Sequence, residues 1–174
     1  MPYVKRIDHV AIVVEDIETA LGFWRDALGL EVTLIEDVPD MHSKVAFLET
    51  GYSEIELVRP TDKESGIYRY LKEHGPSMHH ICLEVNNIRA FIQRLVGQGV
   101  RMINTEPVVG TGGRLIAFIH PKSAQGVLVE LYELTGQELE MRPSRSRSLL
   151  IRFLSRLKTQ ISNSLRSRRS NDQR

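Results

Sequence analysis

The feature of this sequence that most constrains the fold is an internal repeat. At an offset of 71 residues, segment 7–14 (IDHVAIVV) aligns with segment 78–85 (MHHICLEV). At the same offset, segment 46–48 (AFL) aligns with segment 117–119 (AFI). A repeated unit buries its apolar face against its copy. The sequence therefore predicts two similar modules that form one body.

Both halves show the same order of secondary structure. The first half predicts a strand, a helix after Asp16 and three more strands, with the strands over 5–14, 30–37, 43–49 and 53–59. The second half predicts the same order, with a helix capped by Asn86 or Asn87 and strands over 79–85, 100–105, 114–120 and 126–133. Ile17, Leu21, Trp24 and Leu28 recur at helical spacing in the first helix. The fold class is therefore α+β, built from two tandem βαβββ modules.

The domain boundaries follow from this repeat. We expect a first module over 1–62, a linker helix within 63–77, a second module over 78–136 and a basic tail over 137–174. The tail segment 142–174 holds ten Lys or Arg residues and one acidic residue, Asp172. Its segment 149–161 has apolar residues at helical spacing among basic ones, which predicts an amphipathic helix next to partly disordered chain. Contact with a partner subunit, with the acidic body or with an anionic membrane surface each fits this tail.

Two histidines and two glutamates occupy matched positions in the repeat. His9 and His80 lie on the first strand of each half, and Glu56 and Glu130 lie on the last. A pseudo-two-fold axis would bring all four together, where two imidazoles and two carboxylates suit one divalent ion such as Co, Mn, Ni, Fe or Zn. His79 competes with His80, and the alternation of a regular strand would turn these two side chains to opposite faces. Glu54 shares a face with Glu56 and competes with it.

Composition limits where the protein works and what it binds. Cys82 is the single cysteine, and no apolar run is long enough to cross a membrane. A reducing, cytoplasmic location is the simplest reading. Only Phe153 among the tail residues offers a ring for base stacking, so no nucleic-acid partner is expected. The segment 110–113 (GTGG) has no helix after it, which favours a hairpin connection over a phosphate loop, with a substrate lid as the alternative.

Three motifs together resemble a known family. They are segment 7–11 (IDHVA), segment 78–81 (MHHI) and the segment 120–123 (HPKS) that precedes the GVLVEL run at 126–131. They resemble the methylmalonyl-CoA epimerases of the vicinal oxygen chelate superfamily, which also contains glyoxalase I and the extradiol dioxygenases. The resemblance spans about residues 5–134. It implies a cupped, eight-stranded mixed sheet, a homodimer, and metal ligands at His9, Glu56, His80 and Glu130.

The resemblance also implies an activity. We expect a metal-dependent epimerase that interconverts (R)- and (S)-methylmalonyl-CoA by abstraction of the α-proton. Glu56 and Glu130 are the expected proton-transfer groups, and the family's free glutamate base is replaced by Val45, with Glu49 four residues further along. His120, Lys122 and Ser123 are expected to bind the acyl-CoA substrate at the mouth of the site. The alternatives are a lactoylglutathione lyase or another metalloenzyme of the superfamily, and a metal-free small-molecule binding protein.

Overall fold

The computed structural model describes residues 1–134, and these form eight strands and three α-helices. The strands are β1 (Val4–Val13), β2 (Glu31–Val38), β3 (Ser43–Glu49), β4 (Glu54–Pro60), β5 (Ser77–Val85), β6 (Val108–Val109), β7 (Leu115–Ile119) and β8 (Leu128–Glu133). The helices are α1 (Ile17–Leu21), α2 (Gly66–His74) and α3 (Ile88–Gly97). The basic tail, including the predicted helix at 149–161, lies outside the described residues.

The eight strands form one mixed sheet with a symmetric order, β2-β3-β4-β1-β5-β8-β7-β6. When each strand is exchanged for its equivalent in the other half, the result is the same order read from the opposite edge of the sheet. At the centre, β1 and β5 run antiparallel and Val10 pairs with Ile81, its own equivalent at the offset of 71. A pseudo-two-fold axis therefore passes through this pair, which confirms the cupped, eight-stranded α+β fold.

Helices α1 and α3 cover the outer face of the sheet. Asp16 caps α1 by accepting a hydrogen bond from the Thr19 amide at 2.9 Å, and Asn87 caps α3 in the same way. Two apolar clusters lie under these helices, one in each half. In the first, Leu21 packs with Leu48 and Leu57, and in the second, Ile88 packs with Leu131. Each half thus has its own outer core, as two repeated modules require.

Two predicted elements differ in the structure. The expected strand over 100–105 is wrong, because this segment has only an isolated bridge between Met102 and Ile119. The Asn104 side chain replaces the missing ladder, since its Oδ1 accepts from the Phe118 amide at 2.8 Å and its Nδ2 donates to the Glu106 carbonyl at 2.7 Å. The edge strand forms instead at β6.

The first helix also differs from the prediction, because not all residues of the predicted apolar face are buried. After α1 the chain continues as a π-helical turn over Gly22–Ala27. The wider turn rotates later side chains away from the core, so Trp24 still packs on the outer cluster while Leu28 is exposed. Within residues 1–134, no helix is both long and apolar enough to cross a membrane.

Candidate functional site

The four candidate residues lie on the inner face of the four central strands, in two rows. Parallel pairing of β1 with β4 sets Ala11 beside Glu56, and antiparallel pairing with β5 sets the same Ala11 beside His80. This makes the row Glu56–Ala11–His80. The second row is its symmetric copy, His9–Cys82–Glu130. Ala11 and Cys82 are both small and fully buried, so the longer His and Glu side chains meet above them.

The polar ends of these side chains converge within hydrogen-bonding or ion-pair distance. His9 Nε2 lies 3.3 Å from Glu56 Oε2 and 3.9 Å from Glu130 Oε2. His80 Nε2 lies 2.8 Å from Glu130 Oε2 and 3.7 Å from Glu56 Oε2. Each imidazole thus faces both carboxylates, one from each half. All four residues are buried.

Equivalent phenylalanines hold the two imidazoles. His9 packs edge-on against Phe47 with ring centroids 5.4 Å apart, and His80 packs edge-on against Phe118 at 5.9 Å. Phe47 and Phe118 are themselves related by the offset of 71. The packing restricts ring rotation and leaves the Nε2 edges facing the site. The pseudo-symmetry therefore extends from the sheet to the side chains of the site.

Charges of opposite sign are balanced inside this buried cluster. Burial alone would lower the pKa of His9, but the Glu56 and Asp8 carboxylates beside it raise that pKa well above its ordinary value. Burial would likewise raise the pKa of Glu56, yet His9, His80 and Arg114 lower it. Glu56 is therefore held as a carboxylate, and positive charge must lie close to it.

The site opens into a cavity of about 190 Å³. Its polar floor is the four-residue cluster, and its walls are apolar. They are formed by side chains of both halves and of α2, among them Val45, Val58, Ile67 and Ile116. A space of this size admits a small acyl group. Gly110 and Thr111 also line the cavity, so the GTGG segment both connects β6 to β7 and borders the site.

The two competitors for the site residues have different positions. Glu54 lies on the same face as Glu56, but its Oε1 accepts a hydrogen bond from Thr33 Oγ1 at 3.1 Å, and it does not line the cavity. His79 does line the cavity, contrary to the expectation that it would face the other way. A register irregularity in β5 explains this, since Ala11 pairs with His80 and Ile12 pairs with Met78, leaving His79 as the extra residue.

The structure separates the other candidates from the cavity. His120, Lys122 and Ser123 form the tight turn between β7 and β8, where the His120 Nδ1 accepts from the Lys122 amide at 3.1 Å. Val45 lines the cavity, whereas Glu49 does not, although both lie on β3. The cavity carboxylates among residues 1–134 are therefore Glu56 and Glu130.

Sequence reasoning missed two buried charges beside the site. Asp8 is fully buried and Arg114 is 2% exposed, and Arg114 Nη1 donates to Asp8 Oδ2 at 3.2 Å. The Arg114 guanidinium lies 4.5 Å above the Tyr132 ring and reaches the cavity wall. Burial raises the pKa of Asp8, but the hydrogen bond with His9 and the positive charges of Arg114 and Arg6 outweigh burial and hold this pKa well below its ordinary range. The adjacency of Asp8 to His9 in the repeat was the signal that could have identified it.

The residues present fit a divalent metal ion. His9 Nε2 and His80 Nε2 are buried and receive no hydrogen bond from any residue in 1–134. Ligand atoms of His9, Glu56 and His80 all lie within 4.8 Å of one another. Imidazole nitrogens and carboxylate oxygens without a thiolate are the donors that Mn, Fe, Co, Ni and Zn accept. Glu130 completes the set through its 2.8 Å approach to His80.

Comparison with known proteins gives a consistent family. The sequence model of the Glyoxalase/Bleomycin resistance protein/Dioxygenase superfamily matches residues 8–118. The mitochondrial methylmalonyl-CoA epimerase of Mus musculus is 39% identical over 127 residues, which are 72% of this chain and 71% of that protein. The ethylmalonyl-CoA/methylmalonyl-CoA epimerase of Cereibacter sphaeroides is 39% identical over 131 residues, 74% of this chain and 98% of that protein.

Solved structures agree with the sequence comparison. A methylmalonyl-CoA epimerase from Mycobacterium tuberculosis superposes with a TM-score of 0.74 at 34% identity, over 77% of this chain and 91% of that one. A methylmalonyl-CoA epimerase in complex with methylmalonyl-CoA and NH4+ superposes with a TM-score of 0.73 at 30% identity, over 77% and 97%. The lactoylglutathione lyase of Haemophilus influenzae is a more distant relative, 29% identical over 74% of this chain and 92% of that protein.

Proposed function

The chain belongs to the glyoxalase/bleomycin resistance protein/dioxygenase superfamily and, within it, to the methylmalonyl-CoA epimerases, and we propose that it interconverts the two C2 stereoisomers of methylmalonyl-CoA. The observation that carries this proposal is the pair of carboxylates, Glu56 and Glu130, that face one small cavity from symmetric positions. Epimerisation needs one group to remove the α-proton and another to return a proton on the opposite face.

His9, Glu56, His80 and Glu130 would hold a divalent metal ion. When bound, such an ion supplies Lewis-acid stabilisation of several kcal/mol to the negative charge that develops on the thioester oxygen. His9 and His80 present Nε2 to the cavity, and neither ring can turn freely because each packs against a phenylalanine. The metal requirement and the choice among Co, Mn, Ni, Fe and Zn are parts of this proposal.

Proton transfer is assigned to the two glutamates. In one direction Glu56, which is ionised, accepts the α-proton, and Glu130, protonated beforehand, delivers a proton from the other side. The reverse reaction exchanges these roles, so the same pair serves both stereoisomers. A substrate bound on the pseudo-two-fold axis between β1 and β5 would have one carboxylate on each side, which supports this assignment. Arg114 favours the ionised, proton-accepting form of Glu56.

The apolar walls of the cavity contact the substrate and exclude water. Val45, Val58 and Ile116 offer surface for the C2 methyl group and exclude water from the reacting carbon. Exclusion of water strengthens the electrostatic interactions within the site. Val45 also means that β3 contributes no free carboxylate to this cavity. Proton transfer must therefore use the two glutamates of β4 and β8.

The coenzyme A portion is assigned to the turn that follows β7. Strand register places this turn at the edge of the sheet where β5 begins, since His80 pairs with Leu128 and Ile119 pairs with Val129. Lys122 is exposed there and offers positive charge to a phosphate. We propose that His120, Lys122 and Ser123 bind this part of the substrate outside the acyl cavity. The homodimer and the cytoplasmic location stay predictions.

The proposed activity is tested by hydrogen exchange at C2. Proton NMR follows the α-proton of methylmalonyl-CoA in deuterated water, first with chelator-stripped protein and then after addition of Co or Mn. We expect the signal to disappear rapidly only after metal is restored. Loss of the signal without metal would contradict the metal requirement. Absence of exchange in metal-loaded protein would contradict the epimerase, and the glutathione–methylglyoxal adduct, tested in parallel, would then reveal a lactoylglutathione lyase.

A further inference from the structure

Each imidazole of the site has a partner on its outer nitrogen. The His9 Nδ1 lies 3.1 Å from Asp8 Oδ2, and the His80 Nδ1 lies 2.9 Å from the His79 Nδ1. In both cases the partner is the preceding residue in the chain. A regular strand turns successive side chains to opposite faces, so neighbours do not normally meet in this way.

Two register irregularities in the β1–β5 pair make these contacts possible. Ile7 pairs with Leu83 and His9 pairs with Cys82, so Asp8 is an extra residue in β1. In β5 the extra residue is His79, as described above. Asp8 and His79 are equivalent at the offset of 71. The same irregularity thus occurs at both symmetric positions, and each one turns the extra side chain towards the following histidine.

A hydrogen bond donated by Nδ1 determines that the lone pair of a neutral imidazole lies on Nε2. Neutral imidazole carries one N–H, and a metal ion requires the lone pair on the other nitrogen. When His9 is neutral and donates its Nδ1 proton to Asp8, Nε2 has a lone pair that faces the cavity. His80 reaches the same state by donating to a neutral His79. The partners of the two histidines therefore select the tautomer that fits a metal ion.

We propose that Asp8 and His79 are the positioning residues of the metal centre, and that His9, backed by a carboxylate, is a stronger metal ligand than His80, which is backed by an imidazole. This inference rests on the proposed metal ligands and extends that proposal. Arg6 donates to Asp8 Oδ1, and Arg114 donates to Oδ2, the oxygen that also faces His9, so both arginines orient the carboxylate. Tyr70 holds His79, with ring centroids 4.7 Å apart. The two partners are therefore fixed by their own surroundings.

Metal affinity tests the proposal without any substrate. The dissociation constant for Co(II) is measured by competition with a chelator, together with the visible spectrum of the bound ion. We expect Asp8→Asn to weaken binding by about 10- to 100-fold and to shift the spectrum. His79→Phe, which keeps the ring contact but loses the acceptor, should weaken binding less than Asp8→Asn does. His79→Gln, which restores an acceptor, should recover most of the affinity.

Glu84→Gln is the matched control. Glu84 is a buried carboxylate that also pairs with Arg6, at 2.7 Å, but its ion pairs within residues 1–134 are with Lys5 and Arg6 and with neither histidine. This variant should bind Co(II) like the wild type. Equal affinities for wild type, Asp8→Asn and Glu84→Gln would overturn the proposal. A larger loss with His79→Phe than with Asp8→Asn would overturn the claim that His9 is the stronger ligand.

A second measurement does not depend on any variant being folded. In the zinc-loaded wild type, long-range ¹H–¹⁵N spectra report which nitrogen of each histidine carries the proton. We expect Nδ1–H at both His9 and His80, and coordination of either ring through Nδ1 would overturn the proposal. Since neither test uses methylmalonyl-CoA, a protein that binds metal but shows no α-proton exchange would contradict the epimerase alone. Failure of the wild type to bind metal would overturn this inference.

Discussion

Substitution of Glu130 by Gln should separate the two proton transfers. Gln has the same shape as Glu, so the cavity keeps its volume, but the amide accepts no proton. Glu56 remains 3.3 Å from His9 Nε2 and 3.7 Å from His80 Nε2, and it is unchanged as the second base. Epimerisation should therefore stop, while exchange of the α-proton continues for the stereoisomer that presents its proton to Glu56.

The expected size of this effect follows from general base catalysis. A positioned base contributes about 10²- to 10⁴-fold to the rate of proton transfer. This corresponds to about 3 to 5 kcal/mol in the activation free energy. We expect exchange of one stereoisomer to fall by that factor and exchange of the other to fall by less than about tenfold. Glu56→Gln should show the opposite preference, since the two carboxylates are related by the pseudo-two-fold axis.

The assay is proton NMR in deuterated water, started separately from each stereoisomer and normalised to bound metal. Glu54→Gln is the matched control, because Glu54 is a buried carboxylate on β4, the strand that carries Glu56, and does not line the cavity. It should leave both rates near those of the wild type. Full exchange of both stereoisomers by metal-loaded Glu130→Gln would refute the role of Glu130. Equal losses for both stereoisomers would refute the division of labour between the two glutamates.

Three further predictions concern stability and reactivity. Burial and the neighbouring His80 lower the pKa of His79 to about 4, which is below its value of about 6.5 in the unfolded chain. The unfolded chain therefore binds a proton at His79 at a higher pH than the folded protein does. The contribution of His79 to the free energy of unfolding is complete above about pH 6.5, and about 3 kcal/mol of it is lost as the pH falls to 4. Urea titrations of metal-free wild type and His79→Gln should differ by this amount across that pH range, and parallel curves would contradict the assignment. Asn104→Ala should lower the free energy of unfolding by about 1 to 3 kcal/mol in urea, because the part-buried Phe118 amide loses its partner. Asn86→Ala, which removes an exposed hydrogen bond from the Tyr3 amide, should cost less, and equal effects would contradict the bridging role. The fully buried Cys82 thiol, whose pKa is raised by burial and by Glu130, should react with a disulfide reagent only when the protein unfolds, so rapid reaction of the native protein would refute its burial.

The modular order and the candidate site were predictable because they repeat in the sequence. The offset of 71 aligns His9 with His80 and identifies two strands whose residues must be equivalent. Hydrophobic patterning and capping residues then locate most of the elements. Asp16 and Asn87, for example, both cap the helices that follow them, because their side chains accept amide hydrogen bonds locally. Local chemistry of this kind needs no knowledge of the rest of the chain.

Other elements depended on partners distant in sequence. The segment 100–105 has the pattern of a strand, yet the Asn104 side chain bonds to the Phe118 backbone instead. Leu28 has helical spacing, yet the π-helical turn moves it to the surface. In both cases a side-chain contact or a change of helical pitch overrides a periodic pattern, and neither is encoded in the spacing of apolar residues.

The sequence by itself determined that two histidines and two glutamates recur in matched modules, because a repeat is a property of residue order. Only the tertiary structure decided that His79 shares the cavity with His80, that Asp8 contacts His9, and that Arg114 reaches Asp8 from the other half. These contacts depend on one extra residue in each central strand and on pairing between residues up to 106 positions apart. Strand register is set by the whole sheet, and it therefore determines which of two adjacent side chains faces the site.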